Sequence, residues 1–210
     1  RNDGNGNFDD ISVAAGVDNG GWGWGACFID FENDGDLDIY HTNGWPLVAD
    51  DDYTSDTSRA YVSDGAGNFA DDANELGLID SDQGRGVVCA DFDRDGDVDI
   101  FLWSSQSENA GRLFRNDEAS KNYLTVSLRG VAPNTAATGA RIYATIGTTT
   151  QMREISLASN FVSQNPTEQV IGLGEASQVD ALSIEWPDGQ ITDMGVVQAN
   201  QAITIDHPDL

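Results

Sequence analysis

Basic residues are scarce in this chain: 10 Lys and Arg stand against 36 Asp and Glu in 210 residues, a formal charge of −26. Such a surface repels polyphosphates and anionic bilayers, so no nucleic acid is expected among its partners. Long apolar runs are missing as well. None approaches the roughly 18 to 20 residues of a membrane span and no charged-then-apolar leader opens the sequence, so no membrane insertion is expected. Histidine is limited to His41 and His207, and no serine occupies a nucleophile-elbow motif, which leaves a hydrolytic triad little to work with. Two cysteines, Cys27 and Cys89, are too few to staple a small scaffold and do not fit a zinc spacing. They are expected as two buried thiols. The chain opens at Arg1, without methionine and inside a repeated motif, and is expected to be the C-terminal part of a longer secreted protein.

What is present is enough for a core, since 39% of the residues are apolar. Laying the sequence on itself aligns Asp3 with Asp64, Phe8 with Phe69, Gly16 with Gly77, Asp30 with Asp91, Gly35 with Gly96 and Asp38 with Asp99, always 61 residues apart. A third start appears at Phe114-Arg115-Asn116-Asp117, which echoes Arg1-Asn2-Asp3. Repetition at this period points to a propeller or another array. Inside each unit, short apolar stretches such as Ala26 to Phe31 and Val87 to Phe92 lie between Gly and Asp/Asn clusters, the pattern of strands with tight turns. After about Ser120 the Asp-Gly clusters stop and Thr, Val and Ile alternate instead. Six strands are expected there: Asn122 to Arg129, Ala140 to Ile146, Gln151 to Leu157, Gln169 to Leu173, Ala181 to Trp186 and Ala202 to Asp206. The fold class is therefore all-β, with propeller-type blade repeats over residues 1–118 and a small β-sandwich or barrel over 119–210.

The strongest chemistry lies in DFENDGDLD, Asp30 to Asp38, and DFDRDGDVD, Asp91 to Asp99, each with five carboxylates in nine residues. Oxygen ligands at positions one, three and five, a glycine at six for the sharp turn and acids at seven and nine are how a loop wraps a hard cation. The expected ligands are Asp30, Glu32, Asp34 and Asp38 with the Asp36 carbonyl in the first loop, and Asp91, Asp93, Asp95 and Asp99 with the Asp97 carbonyl in the second. Without a counter-charge such a loop is costly, because two carboxylates about 4 Å apart repel by roughly 1 kcal/mol in water and about 4 kcal/mol at intermediate dielectric. All-oxygen ligation favours Ca²⁺, and two calcium ions are expected. An EF-hand is excluded, since the flanks are strands and the twelfth positions hold His41 and Leu102.

The units GWGACFIDFENDGDLDIYHTNG and GRGVVCADFDRDGDVDIF resemble FG-GAP or VCBS repeats, the calcium-loop blades of integrin α-like β-propellers. The C-terminal stretches TGARIYATIG, REISLASNFVSQNP, GLGEASQVDALSIEWPDG and VQANQAITI are similar to the ASPIC/UnbV domain that follows such repeats in secreted proteins. These resemblances imply a calcium-stabilised module that is secreted or extracellular, at a cell surface or in the periplasm, and used in cell adhesion or matrix contact. Glu32 departs from the Asp or Asn that such loops carry at position three. A propeller closes with four to eight blades, so two repeats and a third start do not close a ring; self-association through open blade edges is expected.

The GGWGWG segment, Gly20 to Gly25, is no phosphate-cradling loop, because no helix pattern follows it. Trp22, Trp24, Trp45 and Trp103 either pack inside or form a platform that stacks on a glycan or protein ligand. The leading expectation is a calcium-binding module that binds an extracellular protein or glycan and is not an enzyme. A structural spacer and a fragment of a carbohydrate-active lyase or hydrolase are the alternatives.

Overall fold

The computed structural model describes residues 1–48, 51–105, 110–117 and 121–210. The boundary expected at 118–119, and Ser120 with it, lies outside the described residues. One short helix, α1 (Ser12–Ala15), precedes the first strands: β1 (Gly23–Ile29), β2 (Asp38–Asn43), β3 (Trp45–Val48), β4 (Asp51–Tyr53), β5 (Arg59–Ser63) and β6 (Phe69–Asp71). The second repeat supplies β7 (Gly84–Ala90), β8 (Asp99–Ser104) and β9 (Gly111–Phe114). Strands β1-β2-β5-β6 make one antiparallel sheet, β7-β8-β9 a second, and β3-β4 a small hairpin.

The two repeats agree strand by strand. In the first, Cys27 lies opposite Tyr40 and Tyr40 opposite Ala60; in the second, Val88 lies opposite Phe101 and Phe101 opposite Leu113. One face of the first sheet packs on one face of the second around Cys27, Ile29, Tyr40, Ala60, Val87, Cys89, Ile100 and Leu102. Cys27 and Cys89 meet across that interface and form a disulfide, their Cα atoms 6.6 Å apart. The expectation of two thiols is thereby corrected. Strand alternation places both side chains inward, and spacing along the chain carries no information about a pairing that only sheet packing creates.

The C-terminal part contains β10 (Asn122–Arg129), β11 (Arg141–Ile146), β12 (Thr149–Glu154), β13 (Gln169–Gly174), β14 (Gln178–Glu185), β15 (Ile191–Gln198) and β16 (Gln201–Asp206). Sheets β13-β10-β16 and β12-β11-β14-β15 lie on either side of a core that includes Leu124, Val126, Ile142, Ile171, Leu182, Ile184 and Trp186. None of the sheets closes, so the module is a sandwich. Alternation explains the inward row Leu124, Val126, Leu128 on β10. Trp186-Pro187-Asp188-Gly189 forms the expected turn, closed by Gly189 N–H on the Trp186 carbonyl at 2.9 Å. Strand β15 was not expected from the sequence. It is an edge strand whose pairing with β14 shifts register near Gly195, and Gly195 has a positive φ of 62°, so no clean alternation marks it.

The sandwich leans on the repeats through polar side chains. The N–H of Val87 donates to Ser163 Oγ (3.1 Å), which donates back to the Val87 carbonyl (2.8 Å); Cys89 N–H donates to Asn165 Oδ1 (2.9 Å) and Asn160 Nδ2 to the Val87 carbonyl (2.7 Å). These three side chains stand where a neighbouring strand would, and so occupy the edge of β7.

Candidate metal centre

Each acidic loop joins the first two strands of its repeat, and closely similar hydrogen bonds fold both. Asp30 accepts from Asp34 N–H (3.0 Å) and Gly35 N–H (2.8 Å); Asp91 accepts from Arg94 N–H (2.7 Å) and Gly96 N–H (3.0 Å). Asp34 Oδ1 accepts from Asp36 N–H and Asp95 Oδ1 from Asp97 N–H, both at 3.0 Å. Position six is glycine because the turn there needs φ of 98° at Gly35 and 100° at Gly96, values closed to side chains with a Cβ. Position nine closes the loop. Asp38 accepts from Phe31 N–H (2.9 Å) and Ser63 N–H (2.7 Å), and Asp99 from Phe92 N–H (2.9 Å) and Asn116 N–H (2.8 Å).

This folding brings one carboxylate oxygen from each of Asp30, Glu32 and Asp38 within 4.8 Å of one another, and likewise Asp91, Asp93 and Asp99. Positions one, three and nine thus converge in both loops. The side chains at five, Asp34 and Asp95, stay outside those groups: beyond their turn bonds, Asp34 Oδ2 faces Lys121 Nζ at 3.4 Å. The side chains at seven also stay outside those groups, Asp97 Oδ1 accepting from Asn33 Nδ2 at 2.6 Å.

The donor set fits a hard cation. Among the described residues Asp30, Glu32, Asp38, Asp91 and Asp99 make no ion pair, while Asp93 has Arg115 at 3.7 Å. Burial, with only partial relief from backbone N–H groups, pushes Asp30 up to about 6 and Asp38 up to about 7. Glu32 and Asp91 are raised for the same reason. Asp97 rises to about 6 through burial and the neighbouring carboxylates Asp95 and Asp91. The loops also touch each other, Asn33 Nδ2 donating to the Gly96 carbonyl at 3.1 Å. At that junction Asn33 Oδ1 and Asp97 Oδ2 are buried with no hydrogen-bond donor, so acceptor capacity there exceeds what protein donors meet.

Both loops rest on the sandwich. Gly174 N–H donates to the Asn33 carbonyl at 2.8 Å. Gly172 passes so close that a Cβ on it would lie 2.1 Å from Asp30 Oδ2 and 2.5 Å from the Asn33 carbonyl carbon. The Tyr123 ring covers Gly96 in the second loop, where a Cβ would come within 2.0 Å of the ring. Sequence reasoning treated the loops as a property of the repeats alone, and nothing in their spacing reveals these contacts.

The four tryptophans separate. Trp22 stacks on Trp45 (centroids 5.6 Å apart, 14° between planes), Trp45 meets Trp24 (5.2 Å) and Trp24 meets Phe161 of the sandwich (5.0 Å). The Arg85 guanidinium lies 4.6 Å from the Trp24 ring centre. Trp22 keeps an exposed face, whereas Trp103 stands apart on β8, 55% exposed. A further group, Asp188, His207 and Asp209, was not picked out in the sequence. His207 Nε2 meets Asp188 Oδ2 at 3.2 Å and its Nδ1 accepts from Asp209 N–H at 3.2 Å. Both ring nitrogens are thus used in tying the chain end to the β14–β15 turn.

A curated relative, cartilage acidic protein 1 of Mus musculus, is 34% identical over 121 residues, covering 55% of this chain and 17% of that protein. The match therefore spans about a sixth of that relative's length. The family model described as ASPIC and UnbV matches residues 130–210, starting just after β10 and taking in the rest of the sandwich, so this C-terminal part is similar to that family.

Proposed function

We propose that this chain is a calcium-binding extracellular module in which Ca²⁺ held by the two acidic loops fixes the repeats and their seat on the sandwich, and which serves adhesion or matrix contact. The observation that carries the reading is the convergence of positions one, three and nine in both loops, with no ion pair, among the described residues, to five of those six carboxylates. Oxygen-only ligands with loose geometry suit calcium better than zinc or magnesium. The Cys27–Cys89 disulfide supports an oxidising compartment, and the likeness to cartilage acidic protein 1 supports an extracellular one. Titration calorimetry on chelator-treated protein tests the proposal. Two calcium ions per chain are expected, with dissociation constants of roughly 10⁻⁴ to 10⁻³ M, and about one in Asp38→Asn or Asp99→Asn. Absence of binding, or two ions still bound by the Asp38→Asn, Asp99→Asn double variant, would overturn it.

A further inference from the structure

Basic residues number only ten in this chain, so the place of each one is informative. Arg59 and Arg112 pair with carboxylates of the repeats, and Arg129 and Arg141 with Asp206 and Glu154. Arg153 on β12 makes no ion pair among the described residues; its side chain is half-buried and lines a cavity of about 270 Å³ between the repeats and the sandwich, whose wall includes Asp30. Two bonds to its own strand hold it there. Nη1 donates to the Met152 carbonyl at 3.2 Å and Nη2 to Gln151 Oε1 at 2.9 Å. Gln151 Nε2 in turn donates to the Gly172 carbonyl at 2.7 Å, and Gly172 is the residue that abuts Asp30. Other carboxylates of the cavity are engaged elsewhere, Glu154 with Arg141 at 3.0 Å and Glu168 with Ser127 Oγ at 2.8 Å. Burial lowers Arg153, and Asp30 is the carboxylate whose charge opposes that; the guanidinium in return offsets part of the rise that burial gives Asp30.

We propose that Arg153 is a tethered counter-cation of the first loop: it steadies the loop while empty and opposes entry of calcium, so that the sandwich sets the affinity of that site. The proposal rests on the calcium reading of the loop. A unit charge fixed beside a divalent site repels the ion, and at the dielectric of a partly buried cavity it lowers affinity by about tenfold. While the loop is empty the sign reverses. The same charge then offsets carboxylates that repel one another and are partly dried. Lys121 also touches this loop, but at Asp34, outside the converging ligands. In the second loop the basic neighbour is Arg115, which meets Asp93 at 3.7 Å from a solvent-exposed position, where such a pair counts for little.

Arg153→Met keeps most of the side chain's length and drops its charge. Calorimetry with calcium in an Asp99→Asn background, which isolates the first site, is expected to show affinity raised about tenfold; in an Asp38→Asn background, which isolates the second, affinity should not change. Arg153→Lys should bind as the unaltered chain does. Thermal melting in chelator supplies the arm that needs no calcium. There Arg153→Met is expected to melt below the unaltered chain, and Asp30→Asn, Arg153→Met to melt no lower than Asp30→Asn alone, because the charge that Arg153 offsets is gone. Unchanged affinity, or affinity and stability lost together, would show a packing role and overturn the proposal, as would equal melting losses with and without Asp30→Asn. An unaltered chain that binds no calcium would overturn the reading of the loops and with it the affinity half of the proposal, and the melting arm would decide the other half.

Discussion

The two acidic loops share a sequence pattern and a set of backbone bonds, yet they sit in different surroundings. In the first, Asp30 and Asp38 are 4% and 1% exposed; in the second, Asp99 is 1% exposed while Asp91 is half-buried and Asp93 open to solvent. The first loop is pressed under β13, where Gly172 leaves it room, and the second is covered from one side by Tyr123. The repeat therefore encodes the loop's shape, and the sandwich decides how dry each loop is. A drier loop lays more cost on uncompensated carboxylates, so the first site is expected to depend more strongly on its cation.

The largest effect is expected at position nine. Asp38→Ala removes the acceptor of Phe31 and Ser63 N–H, and Asp99→Ala that of Phe92 and Asn116 N–H. Hydrogen bonds to a charged group contribute about 1.5 to 3 kcal/mol each, so each variant should lose roughly 3 kcal/mol or more in calcium, measured by urea unfolding. If the loops differ as argued, chelator should shrink the loss more for Asp38→Ala, because that change also relieves the drier cluster. Equal behaviour of the two variants would break the comparison.

Next comes Gly172→Ala, which places a methyl group against Asp30 and the Asn33 backbone. Overpacking of this kind costs about 1 to 3 kcal/mol. Calcium affinity should fall at the first site and not at the second, and calorimetry resolving two sites would show it. An affinity change at both sites would mean that the loops respond as one unit through the Asn33–Asp97 contact.

The loops and the repeat register were legible in the sequence because both depend on local order: a carboxylate at every second position, a glycine where φ turns positive, and the same offset throughout. The sandwich strands with clean alternation, such as β10, were legible for the same reason. What was hidden depends on packing between distant segments. The pairing of Cys27 with Cys89, the side-chain cover that Asn160, Ser163 and Asn165 place on β7, and the seat of each loop on the sandwich are products of sheet docking. Strand β15 was hidden because its bulge at Gly195 breaks the alternation. Trp103 could not be told from the other tryptophans by type or spacing; its place on an uncovered sheet face sets it apart.

A pH series offers a gentler test. In the cation-free protein Asp30 and Asp38 are raised to about 6 and about 7 from 3.8. The folded state then holds protons that the unfolded chain has already released, so stability from these groups is present below about pH 4 and is lost as pH rises toward 7. Calcium binding needs both carboxylates ionised and reverses the trend, its affinity falling as pH drops through the same window. Thermal melts between pH 5 and 7.5 should therefore slope downward with pH in chelator and upward in calcium. Parallel slopes would contradict the electrostatic account of the first loop.

The smallest effect is expected at Lys121, whose Nζ lies 3.4 Å from Asp34 Oδ2 with both side chains about a third exposed. Such pairs contribute about 0 to 1 kcal/mol, so Lys121→Ala should shift unfolding by less than about 1 kcal/mol. A larger loss would show that this contact holds the first loop to the sandwich more firmly than Gly174 and Gly172 do.

The central claim is that each loop holds one calcium ion through positions one, three and nine. An anomalous difference map from crystals grown in calcium measures this directly. Two peaks are predicted, one about 2.3 to 2.6 Å from oxygens of Asp30, Glu32 and Asp38 and one at the same distance from Asp91, Asp93 and Asp99. Ordered loops without a peak, or peaks only at other acidic residues, would contradict the account.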